Sequence, residues 1–323
     1  MRLLIFFLIF SVFNYGVIKA QDPVLSQYFN APLMNNPALA SYGNNSMHVY
    51  SNYRQQWIGP GSSYNTMLTS ITGKILKKYL SDKDALGVGG MVMSDISLGG
   101  AFKSTYALAS MSYLLSLDQE GASKVGIGLA GVYGSRRVDF STLTFSSQFS
   151  SHGFNTTLPT GESALAAMND YFSLGAGMVF VHKKKKAKMI LGAAGYHFNT
   201  PRQTNVLDVY EQLPTRYVVH GGIDFLLTSR FSFELNSNFQ SQASTNYFMS
   251  GVLGKFYPKQ SEIDATNLAV GIFYRNTKTL VPYVGITHKS FQLGLTYDVN
   301  MASTGAFSNA MKSWELGMSF GIK

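Results

Sequence analysis

His220 and Asp224 stand four residues apart, a spacing that puts two side chains on one face of a β-strand. With a serine beside them, such a pair could supply the base and acid of a hydrolase. No G-x-S-x-G elbow accompanies them, so they read more simply as hydrogen-bond partners on one row. Metal chemistry has less to build on. His48, His152, His182, His197, His220 and His288 show no H-E-x-x-H spacing, and the chain has no cysteine. The glycines of Gly87-Val88-Gly89-Gly90 and Gly126-Ile127-Gly128 interrupt strand patterns rather than open a helix, which suits bends and close packing, not a phosphate. The expectation is no catalytic residue, no metal and no cofactor.

The charges follow another order. Arg54, Arg216, His220, Asp224, Glu234, Arg275, Asp298 and Glu315 all take the polar parity of segments that alternate apolar and polar. Lys312–Ile322 shows the pattern best: Trp314, Leu316, Met318, Phe320 and Ile322 alternate with Ser313, Glu315, Gly317, Ser319 and Gly321. Successive strand residues point to opposite faces, so a closed sheet of such segments is greasy outside and wet inside. The fold class expected is all-β: a transmembrane antiparallel β-barrel of about 14 strands with a Pro/Asn-rich N-terminal arm. With cations and anions both on the wet face, the lumen reads as a salt-bridged, partly filled interior or as a selective pore.

Fourteen strand candidates follow from alternation and turn punctuation: 46–57, 63–73, 85–96, 103–117, 123–137, 170–181, 187–199, 214–228, 230–242, 246–257, 266–276, 279–288, 290–300 and 312–322. Ten residues tilted at about 45° cover about 24 Å, the height of a lipid-facing band. Tyr53, Trp57, Tyr133, Phe180, Tyr217 and Trp314 fall near strand ends with outward parity, as interfacial aromatics do. An even strand number puts both barrel termini on the periplasmic side, with the long loops 139–169, 200–213 and 301–310 outside.

Three units result. Residues 1–20 read as a secretion signal: Arg2, a mostly apolar run to Val17, then Lys19-Ala20. Residues 21–45 form an arm or plug, because Pro23, Pro32, Pro37 and several asparagines deny it a regular ladder. Residues 46–323 form the barrel. Only 13% of residues are charged and 14% are aromatic, which fits lipid-facing strands. The formal charge of +9 does not signal nucleic acid, since the lysines gather in turns such as Lys74–Lys83 and His182–Lys186. Those turns are either solvated or meet a periplasmic partner. In the loop 139–169, Phe140, Phe145, Phe149, Phe154 and Leu158 are more apolar than a solvated loop needs, and mark a candidate partner-binding site.

Four stretches carry a resemblance. Gln21-Asp22-Pro23-Val24-Leu25-Ser26-Gln27-Tyr28 leads to Asn36-Pro37-Ala38; Tyr53-Arg54-Gln55-Gln56-Trp57 follows; then comes Gly195-Tyr196-His197-Phe198-Asn199-Thr200-Pro201; and Tyr274-Arg275, Val281-Pro282-Tyr283 and Tyr297-Asp298-Val299-Asn300 close the series. In this order they resemble the PorP/SprF outer-membrane proteins of the type IX secretion system. The end at Gly321-Ile322-Lys323 departs from the terminal aromatic of many barrels. The resemblance implies a non-enzymatic role: helping to export, or hold on the cell surface, a particular protein with a type B C-terminal sorting domain, sometimes in gliding motility. It also implies contact with the secretion machinery, including its periplasmic ring, beside outer-membrane lipid. A FadL-like transporter of hydrophobic solutes and a porin are the competing readings of the same barrel. Arg54 on the first strand, with Tyr28 or Asn36 of the arm, is expected to form a lumen network that pins the arm.

Overall fold

The computed structural model describes residues 22–43, 45–58, 63–139, 143–151, 153–159, 170–202, 212–258, 266–301 and 312–322. Fourteen antiparallel strands close into one barrel. In chain order they are β1 (Met47–Ile58), β2 (Tyr64–Ile75), β3 (Ala85–Ser97), β4 (Phe102–Ser116) and β5 (Ser123–Val138), then, past a two-strand hairpin of β6 (Phe149–Ser150) and β7 (Gly153–Phe154), β8 (Tyr171–Lys183) and β9 (Ala187–Tyr196). The rest are β10 (Arg216–Thr228), β11 (Phe231–Gln242), β12 (Thr245–Phe256), β13 (Asn267–Arg275), β14 (Thr279–His288), β15 (Phe291–Asn300) and β16 (Lys312–Ile322). Each pairs with its neighbour in sequence, with β5 pairing β8. The circle shuts where β1 meets β16, Met47 opposite Ile322 and Arg54 opposite Glu315.

This connectivity gives the barrel a termini rim, where Met47 and Ile322 lie, and a loop rim at the other end. The expected ranges match the observed strands closely, and the largest difference has a local cause. Expected to reach residue 199, β9 ends at Tyr196 because His197 takes a left-handed φ of 62°, which breaks the ladder. Near the end of β1, Trp57 has φ 57° and the register with β16 shifts between Gln55 and Ile58.

The outer face is apolar as the alternation requires, with Met67, Ile127, Leu129, Phe172, Tyr217 and Val270 among its exposed side chains. The inner face is not uniformly wet, which corrects the expectation. Met91, Met93, Tyr106, Leu108, Val132 and Val218 point inward and are buried. They are covered because the arm runs through the lumen: every residue from Leu25 to Ser41 is buried except the half-buried Phe29. The arm folds into short turns, Tyr28–Asn30, the one-turn helix Pro32–Asn35 and Pro37–Ser41, with Pro32 and Pro37 at the starts of the latter two. No helix among the described residues is long and apolar enough to cross a membrane. The export signal expected at residues 1–20 lies outside the described residues, as do Gln21, Phe140 and loop residues 160–169.

Candidate functional site: an arm locked in the lumen

The arm begins at the loop rim. Asp22 is placed by three strands at once. Its backbone N–H donates to Gln242 Oε1 on β11 at 2.8 Å, and its carboxylate lies 2.9 Å from His197 Nε2 and 3.4 Å from Arg216 Nε at the start of β10. Ser173 on β8 bonds the other ring nitrogen of His197 at 2.7 Å, fixing the imidazole. Arg216 then reaches the carbonyl of Met34 at 2.8 Å while its guanidinium lies over the Tyr196 ring, 4.6 Å from the centroid. The Tyr196 hydroxyl donates to the carbonyl of Leu33 at 2.6 Å. A turn with no ladder of its own thus has its carbonyls satisfied by the wall.

A second lock sits at the barrel seam. Arg54 on β1 is 2% exposed and Glu315 on β16 is 0% exposed. Arg54 pairs with Asp298 on β15 at 2.6 Å and with Glu315 at 3.1 Å, and Arg275 on β13 joins Asp298 at 2.8 Å. The arm closes this network. The Ser26 and Gln27 N–H groups donate to the two Glu315 oxygens at 2.6 and 3.0 Å, and the Ser26 hydroxyl lies 3.0 Å from Asp298 Oδ1. Arg54 also bonds the Ser26 hydroxyl. On the strand side, Asn52 donates to Glu315 at 2.9 Å and accepts from Asn30 at 3.0 Å. Charges this deep are tolerated when paired and hydrogen-bonded, and here only the Nε atoms of Arg54 and Arg275 lack a hydrogen-bond partner among the described residues of the network.

Between the locks the arm is held by packing. Leu25, Ala31, Leu33 and Met34 share a cluster with Met91, Met93, Tyr106, Leu108 and Val132. Tyr28 and Phe29 pack on Phe273, with Tyr283 across Phe29 at a ring separation of 5.7 Å. Asn36 turns the chain: its Oδ1 accepts from Ala38 N–H at 2.9 Å, and its Nδ2 donates to the Met178 carbonyl at 2.8 Å and meets His220 at 3.1 Å. Beyond it the arm lies directly on strand backbone. A β-carbon at Gly128 would overlap the backbone of Ala38, and one at Gly87 the backbone of Ser41.

The charges expected on the inner face therefore occupy separate places. Arg54, Arg275, Asp298 and Glu315 form the seam lock, and Arg216 belongs to the Asp22 lock. His220 serves Asn36. Asp224 and Glu234 make no contact with the arm through a salt bridge and instead share Lys255 near the termini rim. In place of the expected network of Arg54 with Tyr28 or Asn36, Arg54 bonds Ser26; the Tyr28 hydroxyl is buried without a partner. Pro23 starts the arm without a side-chain bond, and Ala38 rests on Gly128. Asp22, Gln27 and His197 were legible only as parts of a motif, and Asn30 and Asn52 were missed, since an uncharged polar residue in a turn-rich arm or on a polar strand face carries no signal of its own.

At the loop rim, Phe149 and Phe154 face each other across the β6–β7 hairpin, ring centroids 5.0 Å apart, and are 62% and 57% exposed. Gln148 is buried beneath them and donates to the Leu158 carbonyl at 2.9 Å while accepting from Phe145 N–H. Phe145 is half-buried and Leu158 exposed.

The sequence matches the family described as type IX secretion system membrane protein PorP/SprF over residues 17–320. No curated protein matches it. Among solved structures, the Ralstonia pickettii toluene transporter TbuX aligns with a TM-score of 0.51 at 11% identity, covering 91% of this chain and 94% of that one. The P. putida toluene transporter TodX aligns with a TM-score of 0.50 at 10% identity, covering 91% and 94%. At such identity the likeness is one of fold.

Proposed function

The chain belongs to the PorP/SprF family of type IX secretion system membrane proteins, and from that membership we propose that it is a non-enzymatic outer-membrane component that helps export, or holds at the surface, one exported protein with a type B C-terminal sorting domain. Residues 1–20 are its export signal, both barrel termini face the periplasm, and the secretion machinery is met on that side. The observation that carries the reading is the family match over nearly the whole chain. The filled lumen supports it, since a barrel occupied by its own arm acts through its rims rather than its bore. A hydrophobic-solute transporter or a porin has only the likeness of fold behind it.

The exposed Phe149–Phe154 pair is the surface offered to the exported protein. A photocrosslinker at Phe154 in living cells should capture a single exported protein bearing that sorting domain, and the double change Phe149→Ser with Phe154→Ser should release that protein into the medium. Normal surface retention by the double variant, with no specific crosslink, would remove this loop from the proposal.

A further inference from the structure

Every cation in the two arm locks has a carboxylate beside it, whereas the lysines along one arc of the termini rim form no salt bridge among the described residues. Three successive connections, β2–β3, β4–β5 and β8–β9, lie side by side along that rim because β3 pairs β4 and β5 pairs β8. The first carries Lys77, Lys78 and Lys83, the second is followed by Lys124, and the third is the run Lys183–Lys186. Among the described residues none of these lysines forms a salt bridge. Their bonds go to neutral oxygens: Lys77 to the Ser46 hydroxyl, Lys83 to the Gln119 carbonyl and Lys124 to the Lys83 carbonyl. The same connections carry fewer acids, Asp82, Asp84, Asp118 and Glu120, than lysines. Asp118 accepts the N–H groups of Ala122 and Ser123, both at 2.7 Å, and Asp84 accepts that of Ser116 at 2.8 Å. Like charges in excess of their counter-charges on one arc repel one another, and an arrangement of this kind is relieved by an anion from outside.

The position of this charge favours a protein over lipid phosphate. Lys74 bends to the Gly43 carbonyl, Lys77 to Ser46 and Lys188 over the Tyr42 ring, 4.8 Å from its centroid, so the basic arc borders the exit of the arm from the lumen. We propose that the termini rim over β2–β9 docks an acidic segment of a partner protein, which lies along the lysine arc. This rests on the reading that the barrel works with a secretion machine, and adds the chemistry by which a partner is recognised at the rim opposite the Phe149–Phe154 pair.

The test uses the full mature protein in neutral phosphatidylcholine nanodiscs and a fluorescent glutamate homopeptide as probe. The wild type should bind it with an affinity that falls steeply with salt. The quadruple reversal K183E/K184E/K185E/K186E should weaken binding by about tenfold or more. K289E, on the same rim outside the arc, should leave it unchanged. Equal binding by the quadruple variant overturns the proposal. So does equally tight binding of single-stranded DNA, which would mark a general polyanion surface, or a loss confined to vesicles containing phosphatidylglycerol, which would mark a headgroup site. Since no exported protein takes part, failure here is separable from failure of the crosslink at Phe154.

Discussion

At the residue scale, the seam lock rests on Arg54. Glu315 and Asp298 sit in a lumen with almost no exposure, so removing the guanidinium leaves Glu315 buried without its cation and Asp298 with Arg275 alone, at a cost of about 3–5 kcal/mol. Arg54→Ala should therefore lower the unfolding temperature in detergent and make the segment from Asp22 to Ser41 cleavable by added protease. Ser26→Ala, which removes one hydroxyl from the same network, should cost about 1 kcal/mol and leave the arm largely protected. An Arg54→Ala protein whose arm resists protease as the wild type does would show that packing alone holds it. The strand charges of this network were legible because a charge on the lipid face is costly, so parity alone assigns it inward. Their partners were not: Ser26 and Gln27 bond through both backbone N–H groups and side chains, and the direction of each depends on the path of a chain segment that has no period.

At the scale of elements, the strands were readable nearly to the residue and the arm was not. Alternation specifies a strand whatever surrounds it, whereas the arm's turns are set by the wall it touches. The strand glycines record that contact, though a sequence shows only that close packing is available there. At Gly128 a side chain would collide with the backbone of Ala38, while at Gly90 the space is ordinary, the nearest atoms being 3.9 Å from an added β-carbon. Gly128→Val favours the strand and opposes only the arm, so the barrel should fold and the arm should be displaced, at about 1–3 kcal/mol. Gly90→Ala should change neither stability nor protection. Limited proteolysis of the two variants beside circular dichroism separates loss of the arm from loss of the barrel. An unfolded Gly128→Val chain, or one with a fully protected arm, would contradict the assignment.

At the scale of the whole molecule, the fold class and strand number were evident from the sequence, yet the state of the lumen was not. In Phe102–Ser116 both parities are apolar: Tyr106 and Leu108 point inward, Ala107 and Ala109 outward, so polarity there does not say which face is wet. Packing decides it, because the inward leucine and tyrosine are buried by Leu33 and Met34 of the arm. A barrel of fourteen strands encloses more space than its own wall side chains fill. Deleting residues 22–42 should therefore have two linked results. The wild type in planar bilayers should pass little current and the deleted barrel should conduct steadily, since nothing else among the described residues spans the bore. The deletion should also lower the unfolding temperature, because Met91, Leu108 and Val132 would then meet water, and exposed apolar surface costs about 25 cal/mol per Å². If the two proteins conducted alike, the arm would not be what closes the lumen. If conduction rose with no loss of stability, the inward apolar residues would have found another cover, and the arm would be a gate resting on the wall rather than part of the core.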